Sequence, residues 1–261
     1  MKIRTGTLRE YKEQGKKFAC LTSYDQQTAE IFDEAGIELI LVGDSASNTV
    51  LANETTIPVT LEEMIPFGRA VARSAKNALV IFDMPFGSYE ISADQALENS
   101  MLVMKQAAVA GVKIEGKRIE QIKKLVENGI PVMGHVGFTP QTVHGLSGYK
   151  VQGRADDGDR VMEEALAIEQ AGAFAIVLEM VPAELAKTIT NALKIPTIGI
   201  GAGNETDGQI LVWTDFAGLG KKAPSFARQY LSLRSDLLDA ARRYSADVKA
   251  QKFPSADESF S

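Results

Sequence analysis

The sequence is poor in cysteine, histidine and tryptophan, and it has no long hydrophobic run. Cys20 is the single cysteine among 261 residues, so no disulfide can form within the chain and a reducing compartment fits best. The two histidines lack the spacing of a ligand pair. No segment is apolar over the length of a bilayer span, and no signal-peptide core follows the basic start at Met1 to Thr7. We expect a cytoplasmic protein with no membrane partner.

An excess of positive charge is also lacking. The formal net charge of −6 at pH 7 gives no electrostatic basis for binding nucleic acid or an anionic membrane surface. A chain of 261 residues is long enough for one large core. We therefore predict a single domain over residues 1–261, with small molecules as the partners.

Five apolar runs each end in an ionisable side chain. A continuous apolar run is typical of a strand buried on both faces, and an ionised group at its end needs a partner. The runs are Leu39 to Ser45, Ala78 to Asp83, Gly111 to Glu115, Pro131 to His135 and Phe174 to Glu179. We expect a sheet whose carboxyl-terminal edge is a reaction site.

Strand and helix patterns alternate about eight times, as in parallel βαβ units. The remaining strands are predicted from Phe18 to Thr22, Ile195 to Ile200 and Gln209 to Trp213. Eight strands favour closure into a (β/α)8 TIM barrel over an open sheet, and the carboxyl ends of barrel strands face the active site. The predicted fold class is therefore α/β, with the barrel over about residues 17–250.

Other segments depart from the regular repeat. A polar helix from Thr7 to Gly15 is predicted to plug the barrel, and the helix between the last two strands is predicted to be abbreviated. Ser225 to Lys249 is predicted as a terminal helix or helix pair before a polar tail over residues 251–261. The glycine-rich segment from Val136 to Gly158 is interpreted as a lid or binding loop, with disorder as the alternative.

Asp44, Asp83 and Glu115 end the second, third and fourth predicted strands. In a closed barrel their carboxylates converge on one rim, where they repel each other unless a cation neutralises them or their pKa values rise. A hard, oxygen-preferring ion meets this need, so we predict Mg²⁺, with Mn²⁺ or Co²⁺ as substitutes. The alternative for each carboxylate is a helix cap or an ion pair with arginine or lysine.

Lys113 and His135 are candidates for binding a substrate. Lys113 shares a strand face with Glu115, so its ammonium is predicted to bind a substrate carboxylate or an enolate oxygen. A Schiff base and a purely structural ion pair are the alternatives. His135 is a candidate hydrogen-bond donor, and its alternative is a satisfied core residue.

Glu179 is the candidate general base. It ends the sixth predicted strand, across the barrel from Asp44. A carboxylate isolated from the acidic cluster and set in apolar surroundings would have a raised pKa, which suits proton abstraction. An ion pair with Arg154 or Lys150 is the alternative.

Seven collinear motifs carry a family resemblance. They are Val42 to Ser45, Asp83 to Phe86, Val112 to Gly116, Gly134 to Gln141, Gly148 to Arg154, Leu178 to Glu179 and Ile198 to Asn204. Together they resemble the ketopantoate hydroxymethyltransferases, the first committed enzymes of pantothenate biosynthesis. The resemblance runs from about Phe18 to Pro254 and is more specific than any single motif.

The resemblance implies a (β/α)8 barrel, Mg²⁺, 5,10-methylenetetrahydrofolate as one-carbon donor, 3-methyl-2-oxobutanoate as acceptor and a homodecamer. It implies that proton abstraction falls to Glu179, with His135 as an auxiliary hydrogen-bonding group. The metal site of the family corresponds to Asp44, Asp83 and Glu115. Its contacts to the oxo acid correspond to Asp44, Ser45, Asp83 and Lys113.

The implied reaction agrees with the chemistry of these residues. Loss of the C3 proton gives a Mg-stabilised enolate, which takes the one-carbon unit from the folate and becomes 2-dehydropantoate. Two other hypotheses stand beside it. One is another metal-enolate barrel enzyme, such as a relative of phosphoenolpyruvate mutase or isocitrate lyase. The other is a catalytically silent barrel that binds an oxo acid.

Overall fold

In the computed structural model, which describes residues 2–146, 148, 150–154 and 157–260, eight parallel strands close into a barrel in chain order. Cys20 of the first strand aligns with Leu39 of the second and with Ile210 of the last, so the sheet closes on itself. The strands are β1 (Phe18–Thr22), β2 (Leu39–Val42), β3 (Leu79–Asp83), β4 (Gly111–Lys113), β5 (Val132–Gly137), β6 (Ala175–Glu179), β7 (Thr197–Ile200) and β8 (Gly208–Leu211). The predicted (β/α)8 fold is confirmed.

Helices of the first part of the chain connect these strands. They are α1 (Thr5–Glu13), α2 (Gln26–Glu34), α3 (Ala46–Thr49), α4 (Leu61–Ser74), α5 (Ala93–Ala107), α6 (Ile119–Glu127), α7 (Asp157–Gln170) and α8 (Ala183–Ala192). Helix α4 shows why they form. Thr60 and Glu63 make a capping box at its start. A Cβ added at Gly68 would lie 2.7 Å from the ring of Phe82, so the helix packs closely on β3.

Helix α1 lies at the amino-terminal end of the barrel. Lys12 Nζ donates to Asp207 Oδ2 at 2.7 Å and to the main-chain oxygen of Thr190 at 2.8 Å, and Asp207 directly precedes β8. Leu8 of the same helix is fully buried. These contacts place α1 where the predicted plug belongs, away from the carboxyl edge of the strands.

Several predicted boundaries were wrong. Strand β5 continues past His135 to Gly137, so His135 lies within the strand and not at its end. Strand β8 ends at Leu211, and Trp213 begins the short helix α9 (Trp213–Phe216). No helix separates β7 from β8 over the described residues 201–207, as the abbreviated repeat predicts. Boundaries shift in this way because periodicity does not show which residues of an apolar run pair with the neighbouring strand.

Contacts divide the chain into two compact units, one ending at Val212 and the other starting at Trp213. All barrel strands belong to the first unit, so the strands end well before residue 250. The second unit contains α9 and α10 (Leu233–Lys249). Helix α10 is shorter than the predicted helical segment from Ser225 to Lys249. The prediction of one domain over the whole chain stays a prediction.

No helix among the described residues has the length and apolar character needed to cross a membrane. Cys20 is 2 % exposed and its burial raises the pKa of the thiol, so it is a core residue. The predicted lid falls partly outside the described residues, which omit Ser147, Tyr149, Ala155 and Asp156. Its described part includes a single 3₁₀ turn at Pro140–Thr142.

Candidate active site

A cavity of about 100 Å³ lies at the carboxyl edge of the barrel strands. The topology explains this position, because parallel strands of a closed barrel all end at the same rim. Apolar side chains form part of its wall, among them Leu41, Val177 and Ile200. Its polar lining includes all seven site residues expected from the sequence, namely Asp44, Ser45, Asp83, Lys113, Glu115, His135 and Glu179.

Lys113 joins two of the predicted metal-binding carboxylates. Its Nζ lies 2.6 Å from Asp83 Oδ1 and 3.4 Å from Glu115 Oε1, and all three side chains are buried. Burial lowers the pKa of Lys113, but Asp83 and Glu115 outweigh burial and hold it above the ordinary value. A protonated lysine cannot attack a carbonyl, so the geometry disfavours the Schiff base and supports the ion pair.

Glu115 is the most strongly ionised carboxylate of the cluster. Burial alone would raise its pKa, but Lys113 and His135 outweigh burial and lower it to about 2. Its other oxygen, Oε2, accepts a hydrogen bond of 3.1 Å from the main-chain N–H of Gln141. The alternative of an ion pair with lysine therefore applies to Glu115 and Asp83, although it does not neutralise the whole cluster.

His135 connects the acidic cluster with Glu179. Its Nδ1 lies 3.4 Å from Glu115 Oε1 and its Nε2 lies 3.3 Å from Glu179 Oε2. Neither contact has hydrogen-bond geometry, and both nitrogens are buried without a hydrogen-bond partner among the described residues. His135 is therefore not a satisfied core residue. His135 lines the cavity, where a bound ligand can complete the hydrogen bonding of its two nitrogens.

The structure predicts an unusual titration of His135 in the metal-free protein. Burial and Lys113 lower its pKa, but the carboxylates of Glu115 and Glu179 outweigh them and raise it from 6.5 to about 9. Since the folded-state pKa lies above the ordinary value, the stabilisation from protonation is complete below pH 6.5 and is lost as the pH rises through 9.

Proton NMR of the imidazole resonances during a pH titration checks this expectation. His144, the other histidine, is exposed, and its signal is assigned by its loss in His144→Gln. One signal should titrate near pH 9. A midpoint at or below 6.5 for His135 would contradict the described electrostatics.

Glu179 is not isolated, which corrects the sequence expectation. It ends β6 and lies beside His135, with a side chain that is 16 % exposed. Its position is fixed by the main chain, because Phe138 N donates to Glu179 O at 2.8 Å and a Cβ at Gly137 would clash with that oxygen. No ion pair joins Glu179 to Arg154 or Lys150, both of which are described residues.

The hydroxyl group of Ser45, which lines the cavity, belongs to a chain of hydrogen-bonded hydroxyl groups. Thr22 Oγ1 donates to the Tyr24 hydroxyl at 2.9 Å, and that hydroxyl lies 2.7 Å from Ser45 Oγ. Tyr24 is 3 % exposed, so its hydroxyl needs these partners. The sequence analysis did not identify Tyr24, because no pattern in the sequence marks a buried hydroxyl that supports another.

The cavity has an excess of negative charge. Four carboxylates and two cationic groups, Lys113 and protonated His135, line it, so two negative charges would be left over with every carboxylate ionised. Burial, Asp83 and Glu115 raise the pKa of Asp44 well above its ordinary value. This surplus equals the charge of one divalent cation, and carboxylate oxygens are the ligands that Mg²⁺ prefers.

The carboxylates fit a hydrated ion better than a closed ligand cage. Within the described ranges, no three His, Cys, Asp or Glu side chains are grouped to hold a metal ion. Asp44 and Asp83 are adjacent, since Asp44 N donates to Asp83 Oδ2 at 3.4 Å. Mg²⁺ commonly keeps several waters and takes one or two carboxylates. The predicted set of three direct ligands stays a prediction.

Gln141 is a buried site residue that the sequence analysis did not assign. Its Nε2 donates to Asp44 Oδ2 at 3.0 Å and to the main-chain oxygen of Met84 at 2.9 Å. It comes from the 3₁₀ turn after β5. The motif from Gly134 to Gln141 contains it, but a glutamine in a segment without periodicity does not reveal its contacts.

The sequence profile of the ketopantoate hydroxymethyltransferase family matches residues 2–256. This chain belongs to the ketopantoate hydroxymethyltransferase family. A 3-methyl-2-oxobutanoate hydroxymethyltransferase from Nocardioides sp. is 55 % identical, covering 99 % of this chain and 89 % of that protein. One from Corynebacterium glutamicum is 53 % identical, covering 99 % and 97 %. The expectation of an enzyme of the ketopantoate hydroxymethyltransferase family is confirmed.

Solved structures resemble the fold of this ketopantoate hydroxymethyltransferase family member at low identity. Phosphonopyruvate hydrolase with oxalate and Mg²⁺ has a TM-score of 0.63 at 14 % identity, covering 98 % of this chain and 93 % of that one. 2,3-Dimethylmalate lyase, a member of the PEP mutase/isocitrate lyase superfamily, has a TM-score of 0.62 at 17 % identity, covering 100 % and 93 %. These similarities support the barrel fold alone.

Proposed function

We propose that the protein transfers a hydroxymethyl group from 5,10-methylenetetrahydrofolate to 3-methyl-2-oxobutanoate, giving 2-dehydropantoate for pantothenate biosynthesis, through the enolate of the oxo acid and with Mg²⁺ in the site. The observation that carries this proposal is one cavity at the barrel rim that holds a protonated lysine, an acidic cluster and a separate carboxylate, Glu179. The names of the relatives agree with it.

Lys113 and Ser45 are suited to bind the carboxylate of the oxo acid. A lysine ammonium has three donors, and Asp83 and Glu115 engage two of those of Lys113, so one remains for a ligand. The Ser45 hydroxyl reaches the same cavity from the end of β2. Leu41, Val177 and Ile200 offer apolar wall to the isopropyl group of the substrate.

Glu179 is suited to accept the C3 proton. Its carboxylate lies at the end of β6, beside His135, which is protonated at neutral pH. His135 Nε2 lies 3.3 Å from Glu179 Oε2 and helps to hold the carboxylate in place. The C–H bond electrons then form the enolate. C3 bonds to the methylene carbon of the folate as one of the two carbon–nitrogen bonds of that carbon breaks. Water then supplies the hydroxyl group as the second bond breaks, and the two freed nitrogens take up one proton from water and one to replace the proton lost from C3.

Asp44 and Asp83 would contact Mg²⁺, with Glu115 held beside them by Lys113 and Gln141. When bound, the ion would polarise the keto carbonyl as a Lewis acid. The small, buried cavity limits the access of water to the enolate. Addition of the one-carbon unit then competes well with protonation of the enolate by solvent.

Turnover with both substrates tests the proposed function. The protein is incubated with Mg²⁺, 3-methyl-2-oxobutanoate and ¹³C-methylene-labelled folate, and ¹³C NMR follows the labelled carbon. We expect labelled 2-dehydropantoate, loss of the activity with a chelator and recovery when Mg²⁺ is restored. Absence of the product with Mg²⁺, Mn²⁺ and Co²⁺ would contradict the proposal.

We propose a homodecamer as the assembly, which the family resemblance supports. Helix α10 has no buried side chain, and Leu237, Leu238 and Tyr244 on it are each about half exposed. Apolar side chains exposed on one helix are typical of a subunit contact. Sedimentation velocity measures the assembly, and a monomer at micromolar concentration would contradict the proposal.

A further inference from the structure

Gln141 connects groups from three separate segments around the acidic cluster. It is 3 % exposed, and each of its side-chain polar atoms has a partner. Nε2 donates to Asp44 Oδ2 and to Met84 O, while Oε1 accepts a 2.5 Å hydrogen bond from the Tyr89 hydroxyl. Its main-chain N–H donates to Glu115 Oε2 at 3.1 Å.

The directions of these hydrogen bonds fix the orientation of the Gln141 amide. Glu115 N is only a donor and gives its proton to the Tyr89 hydroxyl oxygen at 3.2 Å. The hydroxyl proton of Tyr89 is therefore available to Gln141 Oε1. That leaves Nε2 facing Asp44 Oδ2 and the Met84 carbonyl, which can only accept. A flipped amide would break the hydrogen bonds to Asp44 and Met84.

Gln141 thus contacts two acids that come from different strands, Asp44 through its side-chain amide and Glu115 through its main-chain N–H. Asp44 follows β2 and Glu115 follows β4, and Gln141 reaches both from the turn after β5. We propose that Gln141 is a positioning residue that holds the carboxylates of Asp44 and Glu115 in the orientation in which the site takes a divalent cation. This inference rests on the Mg²⁺ site of the proposed function. Substitution of a residue that orients metal ligands commonly lowers the metal affinity by 10- to 100-fold.

Mn²⁺ binding, measured by electron paramagnetic resonance on the intact protein, tests the inference. Gln141→Met keeps the length of the side chain and the main-chain bond to Glu115, but it removes the contacts to Asp44, Met84 and Tyr89. We expect its dissociation constant for Mn²⁺ to rise roughly tenfold or more. Tyr89→Phe should raise this dissociation constant less, because the ring stays and only the two hydrogen bonds of the hydroxyl, with Gln141 Oε1 and Glu115 N, are lost.

Gln121→Met is the matched control. Gln121 Nε2 donates to the main-chain oxygen of the same Tyr89 at 3.3 Å, but it does not contact the acids. Its melting temperature reports the loss of one glutamine contact, and its Mn²⁺ affinity should equal that of the wild type. A purely structural role for Gln141 would lower the melting temperature without changing Mn²⁺ affinity.

The outcomes separate the inference from the proposed function. Wild-type Mn²⁺ affinity in a folded Gln141→Met variant would overturn the inference alone. If Gln141→Met does not fold, unchanged affinity in Tyr89→Phe would overturn it instead. Absence of Mn²⁺ binding by the wild type would overturn the metal site of the proposed function, and the inference with it, whereas turnover by the metal-free enzyme would show that the reaction itself stands.

Discussion

Deuterium exchange at C3 of 3-methyl-2-oxobutanoate should slow by roughly 10²- to 10⁴-fold when Glu179 is replaced by glutamine. The amide keeps the shape of the side chain at the end of β6 but cannot accept the C3 proton at neutral pH. The exchange is followed by proton NMR in D₂O without folate, so that proton abstraction is measured apart from carbon transfer. The isopropyl methine signal disappears as deuterium enters.

Glu184→Gln is the control for this substitution. Glu184 is exposed in the first turn of α8, and its replacement removes one negative charge without touching the cavity. It should exchange at the wild-type rate. If Glu179→Gln also exchanged at that rate while remaining folded, a group other than Glu179 would be the base.

Lys113→Met should lower the free energy of unfolding by about 3–5 kcal/mol, because it leaves Asp83 and Glu115 buried without their shared cation. The loss should grow as the pH rises, since unpaired carboxylates protonate at low pH and become charged at high pH. Urea unfolding at several pH values measures the change. Added Mg²⁺ should restore part of the stability, because the ion replaces the missing positive charge.

Lys124→Met is the matched control for the lysine. Lys124 Nζ lies 3.0 Å from Asp94 Oδ1, a similar distance, but the two side chains are 41 % and 84 % exposed. An exposed pair of this kind contributes about 1 kcal/mol at most. A Lys113→Met variant as stable as Lys124→Met would mean that the buried cluster does not depend on the ammonium.

The strand pattern of the sequence was sufficient to predict that the candidate site residues lie close together. The apolar runs predicted to end in Asp83, Glu115 and Glu179 contain strands β3, β4 and β6, and parallel strands in a closed barrel bring their ends to one rim. The site could be predicted because strand order and chain order coincide. Knowing the strand on which each candidate residue lies was then enough to predict its neighbours at the rim.

The contacts between side chains could not be predicted in the same way. The sequence analysis placed Glu179 apart from the acidic cluster, but the side chain of His135 lies between Glu115 and Glu179 and joins the two. Gln141 and Tyr89 lie in segments without periodicity, and their roles follow from tertiary hydrogen bonds that no local pattern encodes.

Proton exchange by the wild-type protein in D₂O tests the central claim most directly. The protein is mixed with 3-methyl-2-oxobutanoate and Mg²⁺ without folate, and the C3 methine signal is followed by NMR, with a parallel sample in a chelator. The proposed mechanism predicts exchange that depends on the metal ion and precedes any carbon transfer. The rate of 2-dehydropantoate formation with folate is compared with the rate of C3 exchange without folate. A faster formation rate would require that folate binding assist proton abstraction. No C3 exchange with any divalent ion, with or without folate, would contradict the enolate mechanism.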